Sequence, residues 1–311
     1  MPDVIPKPTP LVPISGAVFV AVGENGLRAF SRDGLEWINQ QVDRDGVLLQ
    51  HVCFGQGRCL AIGKFGGDSI GWSTADGASW DAFKLNAQAY VGTYGPIFSA
   101  DGLFRVIAEA GGPAPTEITS TEGKVWSARK PLTLDRKGML GFDPSLRRVA
   151  QGNDRVVIVG DYGARLMRKT GAALFDIAPS AVAKNTLIDV AFGNGFFVGG
   201  GMHGLCMRSE DGLAWTDRTT GEEGEHINAM VWDGQQFVGV GQGATYLSKD
   251  GKAWRREPNE SAPTNATFGN GVFVGTLWPG KLMRSTDGIR WKQVREFPFH
   301  VLAMSYGRLG A

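Results

Sequence analysis

Five aspartates of this chain stand in the same company. Asp33, Asp76, Asp211, Asp250 and Asp287 each follow a Ser or Thr by two positions, directly precede a Gly and lead a Trp by four. A carboxylate beside a hydroxyl could act as a general base, but a reaction needs one such base and this chain repeats it. The repetition assigns these carboxylates to a turn, where Asp accepts backbone N–H groups, Gly supplies a positive φ and Trp buries surface. Ser120-Thr-Glu122-Gly-Lys-Val-Trp126 is a further copy with Glu for Asp, and the stretch from Thr170-Gly171 to Phe175 is a decayed one. The glycines at 34, 77, 123, 171, 212, 251 and 288 are separated by 43, 46, 48, 41, 39 and 37 residues, a period that belongs to a repeat architecture.

The other reactive residue types offer no assembled chemistry. His51, His203, His226 and His300 lack metal-site spacing, and no phosphate loop, Gly-x-Ser-x-Gly elbow or Cys–His pairing is present. Neither a metal nor a cofactor is expected. Cys53 and Cys59 could meet across adjacent strands, but with Cys206 the count is odd, and reduced, buried thiols are expected. With 32 basic and 31 acidic residues the net charge is +1, which gives no field to recruit nucleic acid. No apolar run reaches spanning length, so no membrane insertion is expected.

These residues must be positioned by short strands. The 311 residues include 45 Gly, apolar runs are brief and no long helical period occurs, which predicts an all-β protein. A second phrase recurs upstream of Asp-Gly, as in Phe192-Gly-Asn-Gly-Phe-Phe-Val-Gly199 and Phe268-Gly-Asn-Gly-Val-Phe-Val-Gly275. Each repeat then holds four strands, A to D; in one copy they are expected at 226–232, 236–240, 244–248 and 253–256. One small sheet cannot hide both faces, so the copies must stack as blades. Residues 300–307 read as a strand A with nothing after it, and 17–22 as a strand B with nothing before it. The expectation is a closed seven-bladed β-propeller of four-stranded antiparallel blades over 16–311. The carboxyl-terminal strand joins three amino-terminal ones, and a Pro-rich arm, 1–15, precedes the whole.

The phrases resemble the BNR or Asp-box-like repeats of sialidases, photosystem II assembly factors and many phage and bacterial surface proteins, over nearly the whole chain. The usual sialidase box places one residue between Asp and Gly, and this chain omits it. The shorter phrase, paired with Phe-Gly-Asn-Gly-x-Phe-Val-Gly, is most similar to arrays in phage tail and cell-surface proteins. The resemblance implies a non-catalytic binding or structural module. Its partners would be proteins of a larger assembly, such as virion subunits, or a surface glycan receptor. Residues 1–15 lack the pattern of a signal peptide, so cytoplasmic synthesis is expected, with exit as part of a virion. Two alternatives are a sialidase-like glycan hydrolase and an intracellular assembly scaffold. Sialidase-like chemistry needs an arginine cluster, a Tyr–Glu pair and an acid. The family's early Arg-Ile-Pro phrase is missing, and Arg28 and Arg32 sit in or beside a repeat hairpin. None of the five Tyr has an obvious Glu partner.

In this strand order the C–D hairpins share a face with the A–B turns, and the B–C and D–A loops form the other face. The second face varies most and is expected to carry binding. Its B–C tips include Phe65 after Lys64, residues 111–115, Tyr162 after Asp161, His203 after Met202, and Trp278 before Pro279. Trp278 lies outside the repeat Trp position, which suits a glycan platform or protein hot spot unless it folds back onto blade seven. Strand A is expected to line the axis. At one register it carries His51, Arg148, Asp189, Ala229, Asn265 and Ala303, of which four could form a polar ring holding a small ligand or water. Two charged D–A segments, 128–145 with Arg129, Lys130, Asp135, Arg136 and Lys137, and Glu222, Glu223 and Glu225, would face a partner or solvent.

Overall fold

The structure is a computed structural model and describes residues 10–85, 94–108, 115–134, 146–177 and 185–310. Among these residues seven sheets form around a common axis, each built on an antiparallel meander. The innermost strands A are Val301–Leu309, Val47–Gly55, Tyr94–Ala100, Leu146–Gly152, Leu187–Gly193, His226–Trp232 and Asn265–Gly269, in blades one to seven. Val301–Leu309 pairs with Gly16–Gly23, which is followed by Arg28–Ser31 and Trp37–Gln41, so blade one closes the ring as three strands plus one. In blade six the single run Phe237–Ser248 pairs with strand A through 237–242 and with Arg255–Asn259 through 243–247, supplying both B and C.

The expectation for 128–145 is corrected. Part of the segment read as a D–A connection, 128–145, is sheet: Lys130–Pro131 pairs with Thr116 and Glu117 as the outer strand of blade three. Thr133–Leu134 then adds in parallel to Leu174–Ile177, a fifth strand on blade four. Two-residue strands carry no readable period, so the pattern hid them. Asp135, Arg136 and Lys137 lie outside the described residues, as do 111–114 and residues 1–9 of the arm. The rest of the arm packs on the propeller. Asn39 Oδ1 accepts the Val12 N–H at 2.9 Å, its Nδ2 donates to the Val12 carbonyl at 2.7 Å, and Ile14 enters the core between blades one and two.

The core lies between blades. Val157 and Met167 of blade four, for example, meet Leu187 and Phe197 of blade five. Strand B is therefore buried on both faces and reads as an unbroken apolar run, as in Val156–Val159. In blade two, Cys53 pairs with Leu60 and Phe54 with Cys59, so the two cysteines point to opposite faces. All three cysteines are free and buried, and burial raises their thiol pKa values.

The repeat phrase forms the C–D hairpin. Ser209 Oγ accepts the Gly212 N–H at 2.8 Å and donates to Asp211, whose Oδ1 accepts the N–H groups of Leu213 and Ala214 at 2.8 Å. The same side-chain bonds recur around Asp33, Asp76, Asp250 and Asp287. Trp215, Trp254 and Trp291 close the turn by donating from Nε1 to the phrase Gly carbonyl. Trp37, Trp80 and Trp126 hold the equivalent place by packing, and their Nε1 groups find no partner among the described residues.

The two altered copies show what the phrase needs. Gly123 still donates to Ser120 Oγ at 2.8 Å, but among the described residues Glu122 accepts no turn N–H. In blade four Arg168 stands where Ser belongs. The Gly171 N–H is instead taken by Asp101 of blade three, at 3.0 Å, and Arg168 and Arg105 both pair with Asp101 and Glu117. A neighbouring blade has replaced the lost hydroxyl.

These carboxylates make stability depend on acid. Burial opposes ionisation at Asp33, Asp76, Asp211 and Asp287, yet the turn N–H groups and the Ser or Thr hydroxyl outweigh it and lower their pKa values. At Asp250 the backbone N–H groups of Lys252 and Ala253 are the largest cause of the same lowering. A carboxyl with a depressed folded pKa leaves the unfolded chain binding more protons. Its contribution is complete above the unfolded value, about 4, and is lost as pH falls through the folded one. Melting temperature should therefore hold near pH 6 and fall steeply below about pH 4. A flat profile down to about pH 2 would contradict the turn geometry.

Candidate functional site: the axial channel and the B–C face

Strand A reaches the axis with a built-in kink. Its pairing with strand B slips by one residue after Leu49, Leu146, Leu187 and Ile227. Such a bulge sharpens the local twist and re-aims the side chains that follow. In three of these blades the next paired residue, His51, Arg148 or Asp189, faces the channel. The channel holds a cavity of about 380 Å³ whose wall includes those three together with Asn265 and Ala303. The four polar residues expected at this register do come together. Ala229 does not join them. It is 1% exposed and packs with Val238, Val240 and Phe273.

Opposite charges sit on adjacent blades. Asp189 Oδ1 accepts the Val190 N–H and Oδ2 the Met230 N–H of blade six, both at 2.9 Å. Burial raises the Asp189 pKa and outweighs the opposing effects of the Arg148 guanidinium and the two N–H groups. Arg148 Nη1 donates to the Arg147 carbonyl at 3.2 Å, while Arg147 itself turns outward and grips Asp161 at 2.6 and 3.0 Å. Among the described residues no ion pair joins Arg148 to Asp189.

Where strand A leaves the channel, rings interlock with glycines of the preceding blade. Phe54 covers Gly307, Phe192 covers Gly152, Trp232 covers Gly193 and Tyr306 covers Gly269; a Cβ on any of these glycines would lie 2.1–2.3 Å from the ring. The signal was present as an aromatic–Gly pair at or near the end of strand A, in Phe54-Gly55, Phe192-Gly193 and Tyr306-Gly307.

On the B–C face the proposed residues separate by exposure. Trp278 is 71% exposed and Tyr162 55%, and among the described residues they are the exposed large aromatics. Trp278 therefore stands out from blade seven rather than folding onto it. Tyr162 is presented at φ +53° within a short 3-10 turn, Asp161–Gly163. Phe65 is half-buried, with the Arg44 guanidinium 3.7 Å above its ring. His203 is exposed and tied to the neighbouring D–A loop. Its N–H donates to His226 Nδ1 at 3.2 Å, and its Nδ1 accepts the Gly224 N–H at 3.4 Å. These four tips belong to blades two, four, five and seven, so they ring the face instead of forming one cluster.

One constellation went unread in the sequence. Tyr246 donates its hydroxyl to Glu225, which also holds Arg256, and Arg256 reaches Glu222 at 3.3 Å. A tyrosine of this chain thus does have a Glu partner, contrary to expectation; 21 residues separate them, and the folding of blade six joins the loop before its strand A to the Phe237–Ser248 run. The ion pair with Arg256 holds the Glu225 carboxyl down to about 2, against burial. Glu225 is therefore part of a blade seam rather than a solvated loop. Among the described residues no helix is long and apolar enough to cross a membrane, and no three His, Cys, Asp or Glu side chains are grouped to hold a metal.

Fold and site together define a seven-bladed β-propeller with a polar axial cavity and one aromatic-bearing face, an architecture that suits a binding or structural module. Solved structures share the fold. YCF48 bound to D1 peptide matches with a TM-score of 0.58 at 16% identity, over 93% of this chain and 95% of that one. Apo AztD from Citrobacter koseri matches with 0.59 at 11% identity, over 95% and 99%. A chain of the nidogen/laminin complex matches with 0.53 at 10% identity, over 80% and 98%. At these identities the likeness is one of fold alone. No protein-family model matches this chain, and a search of curated proteins finds no significant match.

Proposed function

We propose that this chain is a non-catalytic binding propeller that docks a protein partner on its B–C face, within a larger assembly. The observation that carries the reading is the placement of Trp278 and Tyr162, the two exposed large aromatics among the described residues, on B–C tips of one face. Exposed Trp and Tyr supply large, rigid contact area and are the residue types that dominate interface energetics. Propellers of similar fold are seen with a D1 peptide, in YCF48, and in the nidogen/laminin complex, which supports a protein partner here. The Tyr246–Glu225–Arg256 group supports the non-catalytic side of the proposal. Its Tyr is 5% exposed and its carboxylate is already engaged by Arg256, so a substrate would have to displace a formed ion pair.

The assembly we favour is a virion, and the partner surface one of its tail or capsid subunits, or a glycan receptor. The support is the resemblance of the repeat phrases, as Asp-box-like repeats, to phage tail arrays. Affinity capture of the tagged chain from its native source, read by mass spectrometry, tests this. Recovery with tail, baseplate or capsid proteins is the expected result. Recovery with cellular complexes would replace the virion by an intracellular scaffold role, and hydrolysis of a fluorogenic glycoside would overturn the non-catalytic reading.

A further inference from the structure

We propose that the axial channel is a binding site for an amino-acid-sized zwitterion, with the ligand carboxylate on Arg148 and its ammonium on Asp189. The inference rests on the channel alone and stands whether or not the B–C face holds a partner. The cavity of about 380 Å³ is large enough for a small organic molecule with accompanying water. Room for about a dozen waters follows from the roughly 30 Å³ each occupies in the liquid.

The charges on its wall choose the ligand class. Arg148 and Asp189 hold one register on strands A of adjacent blades, and among the described residues they form no ion pair with each other. Among the described residues each carboxylate oxygen of Asp189 accepts a single backbone N–H, which leaves a lone pair on both for a cation. Arg148 commits Nη1 to the Arg147 carbonyl, and the remainder of its donor fork is available to a carboxylate. Asn265 and Thr267, on the same wall, have no hydrogen-bonded side-chain partner among the described residues and add neutral donors and acceptors. A simple anion would satisfy Arg148 and sit unfavourably beside Asp189, and a simple cation would do the reverse. A ligand carrying both charges satisfies both. The preference of a buried carboxyl for its neutral form is relieved when an ammonium binds beside it.

The test is calorimetric titration of the full chain with free L-amino acids, taken singly at millimolar concentration, followed by the N-acetyl and amide derivatives of the tightest binder. At least one amino acid should bind, and blocking either charge should weaken it roughly 10- to 100-fold, the usual loss for one charge-assisted bond. Asp189→Asn should weaken the parent ligand to a similar degree and make N-acetylation nearly neutral. Arg148→Gln should do the same for amidation. Among the described residues Arg148 donates to a single carbonyl, so this second variant keeps the test alive if loss of the Met230 contact unfolds Asp189→Asn. A glycine-extended dipeptide separates a free amino acid from a short peptide, and tighter binding of either supports the class. Absence of binding by every amino acid and dipeptide, or a bound ligand indifferent to both substitutions, overturns the proposal.

Discussion

Gly212→Ala is expected to destabilise the propeller by about 2–5 kcal/mol, while Gly171→Ala costs about 1–2 kcal/mol. Both glycines hold the Gly position of the repeat phrase, at φ +80° and +76°. The left-handed conformation penalises any Cβ, and that part of the cost is shared. The difference is the neighbouring blade. A Cβ at 212 would lie 2.4 Å from Val157 Cγ2 and 3.1 Å from Met167 Cγ, whereas nothing lies within 4 Å of one at 171. Overpacking a dense seam adds roughly 1–3 kcal/mol to the backbone cost. Urea unfolding of the two variants beside the parent measures both. Equal losses would show that turn conformation alone demands the glycine, and that the C–D hairpin does not brace the blade before it.

Glu225→Ala is expected to loosen the seam between blades five and six. The carboxylate accepts from Tyr246 and Arg256 and caps the Glu222 N–H at 3.2 Å, so three donors lose one acceptor together. The orphaned Tyr246 hydroxyl, in a side chain 5% exposed, alone costs about 1–3 kcal/mol. Glu225→Gln retains an acceptor and should fall between the two. The folded pKa of about 2 lies below the unfolded value of roughly 4.3. The stabilisation from Glu225 is therefore whole above about pH 4 and lost as pH falls towards 2. Parent and Glu225→Ala melting temperatures should converge over that window. A gap that persists unchanged at low pH would mean that packing, not the ion pair, holds the seam.

The architecture was legible because it repeats. Each Asp-Gly phrase marks one C–D hairpin, and the split between 17–22 and 300–307 announces the closing blade. The polar ring was legible for the same reason: strand A brings equivalent positions to the axis, so His51, Arg148, Asp189 and Asn265 could be found by register alone. Ala229 holds the same register and lies in the seam between blades six and seven. What repetition does not encode was lost. Lys130–Pro131 and Thr133–Leu134 are too short to show alternation. The substitution of Asp101 for a missing serine in blade four depends on a neighbouring repeat. Glu225, Tyr246 and Arg256 are single residues on unlike elements; the cross-strand pairing of Tyr246 with Arg256 in blade six, and the loop that enters strand A of that blade, make them a unit.

A partner bound on the B–C face should sense substitutions there and ignore those on the opposite face. The partner recovered by capture would be titrated against the parent chain, the Trp278→Ala/Tyr162→Ala double variant, and Val125→Ser. Val125 is 84% exposed on the C–D hairpin of blade three, on the opposite face. Loss of about 2 kcal/mol or more in the double variant, roughly 30-fold in Kd, with unchanged melting temperature and a silent Val125→Ser, is the predicted result. Full affinity in the double variant together with loss in Val125→Ser would place the binding surface on the other side of the propeller.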